Sequence, residues 1–226
     1  VPMLPRIANF DDLDPLKAEP AVEVVFVPPG RRLPADAGLV IIPGSKSTIG
    51  DLLAFREYGW DRDLEAHRAR GGAVVGICGG LQMLGRTVRD PDGIEGSVRE
   101  AQGLGLLDVE TVMEPQKTVR NVEARSAVYG TPLSGYEIHT GRTTGPDCAR
   151  PAVTIDGVPD GALSADGRVF GTYLHGLFGA DAFRARFLAS LGVGGAGGDY
   201  RAAVEAALDE IAQDLERHLD CDALFA

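Results

Sequence analysis

Cys78 stands directly after the apolar run Ala73–Ile77 and directly before two glycines, in the stretch GGAVVGICGGLQMLG of residues 71–85. A β-branched run that ends at Ile77 and passes into CGGLQMLG predicts a buried strand turning sharply into a helix. Gly76, Gly79 and Gly80 admit the bend without Cβ clashes. A cysteine at such a bend has the geometry of a nucleophile elbow. The thiol is presented at the carboxyl edge of a sheet, the helix dipole favours thiolate, and the amide of Gly79 can donate to an oxyanion. The alternative is a buried structural cysteine, and the flanking glycines favour the nucleophile.

A cysteine nucleophile needs a base, and there are four histidines. His175 follows the strand-like RVFGTYL and precedes GLF, which places it at the carboxyl end of a strand, where ligands bind in open α/β sheets. It is the candidate base. His67 and His218 lie in the charged helical stretches DLEAHRAR and LERHLD and read as solvated surface residues. His139, in GYEIHTG, is either a second site residue or an exposed loop histidine. Gln82 lies one helical turn beyond Cys78 and projects from the same face, as a site residue or as a solvent-facing one. Cys148 and Cys221, in a loop and near the terminus, are expected to be dispensable.

These residues need elements to position them. VEVVFV (22–27), LVII (39–42), AVVGI (73–77), AVTI (152–155) and VFGTYL (169–174) read as buried strands. Between the second and third, residues 47–71 read as helix, with Ser47 or Thr48 available to cap and Gly71 to terminate. Strand, helix, strand at this spacing implies a parallel crossover. The expected fold class is α/β, with a mostly parallel central sheet flanked by helices. Residues 86–135 read as loops with a few antiparallel strands. Residues 1–192 form the domain, and 193–226 a Gly-rich break followed by an amphipathic helix over 200–219. The apolar face of that helix, with Val204, Leu208, Ile211 and Leu215, is expected to pack on the domain or on a partner.

The 226 residues, 44% hydrophobic, suffice for one large core. A net charge of −11 disfavours partners recognised through phosphate, both nucleic acid and anionic membrane surfaces. Three cysteines without C-x-x-C or Cys/His metal spacing point to no metal site and to a reduced, cytoplasmic setting. No apolar stretch is long enough to span a membrane. The opening Val1-Pro2-Met3 reads as a cytosolic protein or a piece of a longer one.

GICGGLQMLG resembles the nucleophile motif of the class I, triad-type glutamine amidotransferases. With IPGSKSTIGDL, GYEIHTG, GTYLHGLF, the leading LPRIANFDDLDPL and the closing HLDCDALFA, the chain resembles the amidotransferase domain of the cobyric acid synthase family over nearly its whole length. The resemblance implies a flavodoxin-like domain that hydrolyses glutamine with Cys78 and His175 and needs no cofactor of its own. Ammonia would pass to an N-terminal synthetase domain of the same protein, which uses ATP and Mg to amidate carboxylates of a corrin. It also implies that Gly44, in the turn PGSK, supplies a second oxyanion donor, although an ordinary strand-ending turn satisfies the same residues. Gln82, by the same resemblance, holds the amino-acid portion of the substrate.

One position departs from the wider class, which often has a glutamate two residues after the histidine to orient it. Here that position is Leu177. Either His175 works in a dyad, imperfectly aligned in the isolated domain, or a carboxylate from elsewhere orients it. Glu137 is the in-chain candidate. Three other functions fit parts of the pattern: an amidotransferase subunit paired with a ligase for a cell-wall precursor, a stand-alone cysteine hydrolase, and a non-catalytic docking domain.

Overall fold

The computed structural model describes residues 1–195 and 198–219. Its first elements are the two-residue strand β1 (Ile7–Ala8), a 3-10 turn over Phe10–Leu13, and the short helix α1 (Asp14–Lys17), with Pro15 in its first turn. Strand β2 (Leu39–Ile42) leads into β3 (Gly44–Ser45), which pairs antiparallel with β1. Two helices follow, α2 (Thr48–Glu57) and α3 (Trp60–Ala69), where the sequence reads as one. Gly59, at φ 76°, takes a left-handed conformation that breaks the run. β4 (Ala73–Ile77) enters α4 (Gly79–Leu84) through Cys78.

The next segment is more regular than its composition suggests. β5 (Thr87–Arg89) and β6 (Glu100–Gln102) precede a long hairpin of β7 (Glu110–Ser126) and β8 (Pro132–Thr144), whose register shifts between Val112 and Lys117. β9 (Val153–Ile155), β10 (Val158–Asp160), β11 (Ala162–Leu163), β12 (Val169–Thr172) and β13 (Leu174–His175) come next, then α5 (Asp181–Ser190) and α6 (Tyr200–His218).

Two sheets result. The smaller has the order β11-β12-β4-β2, with β12, β4 and β2 parallel. Its apolar centre, Val74, Val75 and Ile77 against Val40 to Ile42, is buried on both faces, as expected of parallel strands covered by helices. The larger sheet is mostly antiparallel, runs β10-β9-β7-β5-β6, and carries β8 and β13 at its side. The expected α/β class and parallel centre are therefore present, and the antiparallel part is larger than the few strands expected.

Three expectations need correction. Residues 22–27 join neither sheet; in this segment only Val27 forms a bridge, to Pro2, because its neighbour is the short N-terminal segment rather than a full strand. His67 is buried, not solvated. It lies on the inner face of α3 with Trp60, Asp63 and Leu64, and its Nε2 is 2.8 Å from the Ala73 carbonyl. Finally, α6 forms but does not pack on the domain. None of its residues is buried, and Leu208, Ile211 and Leu215 are about half exposed. Asp199 caps the helix by accepting from the Ala202 amide at 2.8 Å, and its start is tied to α5, where the Tyr200 amide donates to Asp181 at 3.3 Å and Arg184 to the Gly198 carbonyl at 2.5 Å. The closing residues 220–226, with Cys221, lie outside the described residues.

Candidate active site

The bend at Cys78 is strained and tightly packed. Cys78 has φ 51° and ψ −108°, a left-handed conformation for a residue with a side chain, which costs about 1–3 kcal/mol. The glycines around it are required by close approach. A Cβ on Gly80 would lie 2.0 Å from the Ile42 carbonyl oxygen, and one on Gly76 would lie 2.6 Å from the Gly80 backbone. The strained bend therefore places the Cys78 side chain where α4 passes directly over β2 and β4.

Strand register brings the histidine to it. Thr172 of β12 pairs with Ile77 of β4, so the chain beyond Thr172 runs alongside Cys78, and His175 follows in β13. Its Nδ1 lies 2.7 Å from Asp12 Oδ2, and the other oxygen of Asp12 accepts from the Gly176 amide at 2.7 Å. Tyr136 stacks on the imidazole at 4.9 Å, with the planes 8° apart, and accepts a hydrogen bond from Asn9 at 2.7 Å. Burial alone would lower the basicity of His175. Asp12 and the facing Cys78 outweigh it and push its pKa up to about 10. The imidazole is thus held protonated at neutral pH chiefly by the Asp12 carboxylate on its Nδ1 side, while its buried Nε2 has no hydrogen-bond partner among the described residues.

The carboxylate bonded to His175 is that of Asp12, not that of Glu137. Glu137 instead binds Arg120 through Nε at 2.7 Å and lies 3.7 Å from His139. Of the two alternatives, a carboxylate from elsewhere in the chain is the one present: Asp12, delivered from the N-terminal segment, bonds His175 where position 177 carries leucine. Asp12 is visible in the sequence only as part of NFDDLDPL, a pair of acids before a Pro-started helical turn. Nothing there links it to a histidine 163 residues on.

A cavity of about 350 Å³ elsewhere in the domain does not touch Cys78; the one that does has about 310 Å³. It gathers Cys78, Gly44, Gln82 and His139 together with Thr48, Glu95, Lys46 and Lys117. The Cys78 thiol donates toward the Ile138 carbonyl at 3.5 Å, so the β7–β8 hairpin forms one wall. Gln82 is buried rather than solvent-facing. Its Nε2 donates to the Thr140 carbonyl at 2.9 Å and contacts the Tyr173 hydroxyl at 3.1 Å, while its Oε1 accepts from Thr48 at 2.7 Å. Gln82 thus braces α4 against α2 and β8 while lining the cavity.

His139 is a strand residue rather than a loop residue, stacked on Tyr173 at 3.9 Å, and burial lowers its pKa. Glu95 accepts from Thr48 at 3.2 Å and from the Ile49 amide at 3.3 Å, and burial raises its pKa. Gly44 backs onto the histidine: a Cβ there would lie 3.2 Å from His175 Cε1. Of the sequence-predicted site residues, Cys78, Gly44, Gln82 and His139 line this cavity, whereas His175 lies behind Gly44 and Gly79 sits in the first turn of α4.

Residues 1–183 match the family model described as the CobB/CobQ-like glutamine amidotransferase domain. The chain belongs to this family. It is 76% identical over 225 residues to a cobyric acid synthase of Mesorhizobium japonicum, covering all of this chain and 46% of that protein. A cobyric acid synthase of Brucella canis is 69% identical over 226 residues, covering 47% of its length. The chain thus spans about half the length of the curated relatives it matches. Two solved structures share the fold. A chain from the structure of PurLQS from Thermotoga maritima has TM-score 0.61 at 20% identity, with 84% of this chain and 95% of that chain covered. A structure described as a glutamine amidotransferase has TM-score 0.57 at 18% identity, with 83% and 96% covered.

In this CobB/CobQ-like glutamine amidotransferase domain the bend at Cys78 is strained, and His175 is bonded to Asp12 of the N-terminal segment. Cys148, half-buried in the 3-10 turn Pro146–Ala149, does not line the cavity at Cys78. Among the described residues, no helix is long and apolar enough to cross a membrane.

Proposed function

We propose that this chain is the glutaminase half of a cobyric acid synthase, hydrolysing glutamine through Cys78, His175 and Asp12. The observation that carries the reading is Asp12 bonded to His175 Nδ1, with the buried Nε2 of that ring left without a hydrogen-bond partner among the described residues, and a cysteine held at a strained elbow nearby. The Cys78 thiolate attacks the carboxamide carbon and forms a carbon–sulfur bond. The oxyanion is met by the Gly79 amide and by the turn that begins at Gly44. His175, protonated and fixed by Asp12, gives its proton to the departing ammonia, then takes one from the water that splits the thioester to glutamate. Glu95 on one wall of the cavity, with Lys46 and Lys117 lining it as well, suits the ammonium and carboxylate of an amino-acid substrate, with Gln82 and His139 shaping the space between.

The ammonia is consumed by the other half of the protein, a synthetase that uses ATP and Mg to amidate corrin carboxylates in cobalamin biosynthesis. This domain needs no cofactor. A cytoplasmic setting suits the reduced thiol. The test is Cys78→Ser in the full-length protein: glutamate release is abolished, while amidation driven by added ammonia continues. Near-native glutamine hydrolysis by that variant would reject the reading.

A further inference from the structure

One buried carboxylate outside the triad is bonded in a way that its place in α2 does not explain. Asp51 lies in the first turn of α2 and is only 1% exposed. An acid in that position ordinarily serves the free amides of its own helix. The bonds Asp51 accepts come from other elements. The Arg6 amide donates to Oδ1 at 3.0 Å and reaches Oδ2 at 3.3 Å, and Ser45 Oγ donates to Oδ2 at 2.6 Å. The Ser45 hydroxyl in turn accepts from the Ser47 amide at 2.9 Å.

Both bonded segments end at the reacting groups. Arg6 opens the short arm Ile7–Asp12 that runs along β3, passes Asn9, which is hydrogen-bonded to Tyr136, and delivers Asp12 to His175. Ser45 follows Gly44 in the turn facing the elbow, and a Cβ on Gly79 would lie 2.9 Å from the Ser45 amide nitrogen. Burial is the main influence on the Asp51 carboxyl and raises its pKa against the opposing bonds from Ser45 and Arg6. The charged form therefore carries a desolvation penalty, which a surface-capping role does not require.

We infer that Asp51 is a positioning residue for glutamine hydrolysis, clamping the arm that carries Asp12 and the turn that begins at Gly44 to one another. The inference rests on the glutaminase reading above. With the clamp loosened, the oxyanion turn and the orienting acid would both drift, together with the part of the cavity lining they carry, while the walls on α4 and β8 stay in place. The loss then falls more on turnover than on substrate binding.

The test compares Asp51→Asn and Ser45→Ala with Asp63→Asn in the full-length protein. Asp63 is a matched control: it is 7% exposed and accepts from the Leu33 amide at 3.0 Å, on α3 and away from the cavity. In Asp51→Asn, kcat for glutamine falls about tenfold to a hundredfold with KM within about twofold, the size expected of a small misplacement of reacting groups. The NMR titration of His175, faced by Asp12, Cys78 and the Tyr136 ring, moves down from about 10. Ser45→Ala removes a single hydroxyl, folds, and lowers kcat without moving that titration. Asp63→Asn lowers Tm but leaves the titration and kcat alone.

An unchanged kcat in Ser45→Ala, or an unmoved His175 titration in Asp51→Asn, overturns the assignment. If the parent protein releases no glutamate, the glutaminase reading fails, and the His175 titration still decides whether Asp51 holds the arm.

Discussion

Asp12 Oδ2 lies 2.7 Å from His175 Nδ1 across 163 residues of chain, and this contact takes the place of the acid that Leu177 cannot supply. Leu177 is fully buried in the core instead. Moving the acid to the N-terminal arm makes the alignment of the base depend on tertiary structure, on β1 paired with β3, rather than on the few residues after the histidine.

The first prediction follows from that contact. Asp12→Asn keeps the size of the side chain but offers its Nδ2 or a neutral oxygen where the imidazolium needs a carboxylate. Glutamine turnover falls by about a hundredfold or more, within the range for loss of oriented acid–base catalysis. Circular dichroism should remain that of the parent. Turnover within about threefold of the parent would show that Tyr136 stacking alone orients the ring.

The same pair predicts how stability depends on pH. His175 has a folded-state pKa of about 10 against an ordinary value of 6.5. The stabilisation it contributes is fully present below 6.5 and is lost as pH rises through about 10. The Tm gap between the parent and Asp12→Asn is therefore wider at neutral pH than above pH 10. It does not close completely, because Asp12 also accepts from the Gly176 amide. A gap that is flat across this range, or widens with pH, contradicts a charged His175 in the folded protein.

What the sequence reveals and what it hides divides along chain distance. The elbow is legible because strand, small residues and helix start are contiguous, and His175 because its strand ends beside it. Asp12 is hidden, since no local periodicity reports a partner so far along the chain. The charged neighbours of His67 mask its burial, whereas the spacing of Trp60, Leu64 and His67 on one helical face is the signal that they share a buried side. The segment 22–27 has the composition of a strand but lacks a sheet to join, and strand propensity is a statement about neighbours as much as about residues. For α6 the apolar stripe was legible, whereas what it faces is a tertiary fact.

Gln82 provides a third prediction, because its amide has two tasks. Removing it in Gln82→Ala leaves Tyr173 paired with Thr143 at 2.7 Å and Thr48 near Glu95, but it takes the donor from the Thr140 carbonyl. The fold should lose about 1–3 kcal/mol, as expected for a buried polar group left without its partner. The cavity wall also loosens, so KM for glutamine rises more than kcat falls. Steady-state constants equal to those of the parent, with the stability loss present, would leave Gln82 a structural brace only.

The last prediction concerns the strain at the nucleophile. At φ 51° and ψ −108°, any residue with a Cβ is held in a conformation that glycine adopts freely. Cys78→Ala and Cys78→Gly both remove the thiol, its contact with the Ile138 carbonyl and its effect on His175, so those losses cancel between the two variants. What differs is the Cβ. Without strain, glycine would be the less stable of the two by about 0.5–1 kcal/mol through its greater unfolded-state entropy. Relief of about 1–3 kcal/mol reverses that order. Cys78→Gly should therefore unfold at a higher denaturant midpoint than Cys78→Ala, although both are inactive. The opposite order would mean that the elbow holds no strain, and that the cysteine sits there at no expense to the fold.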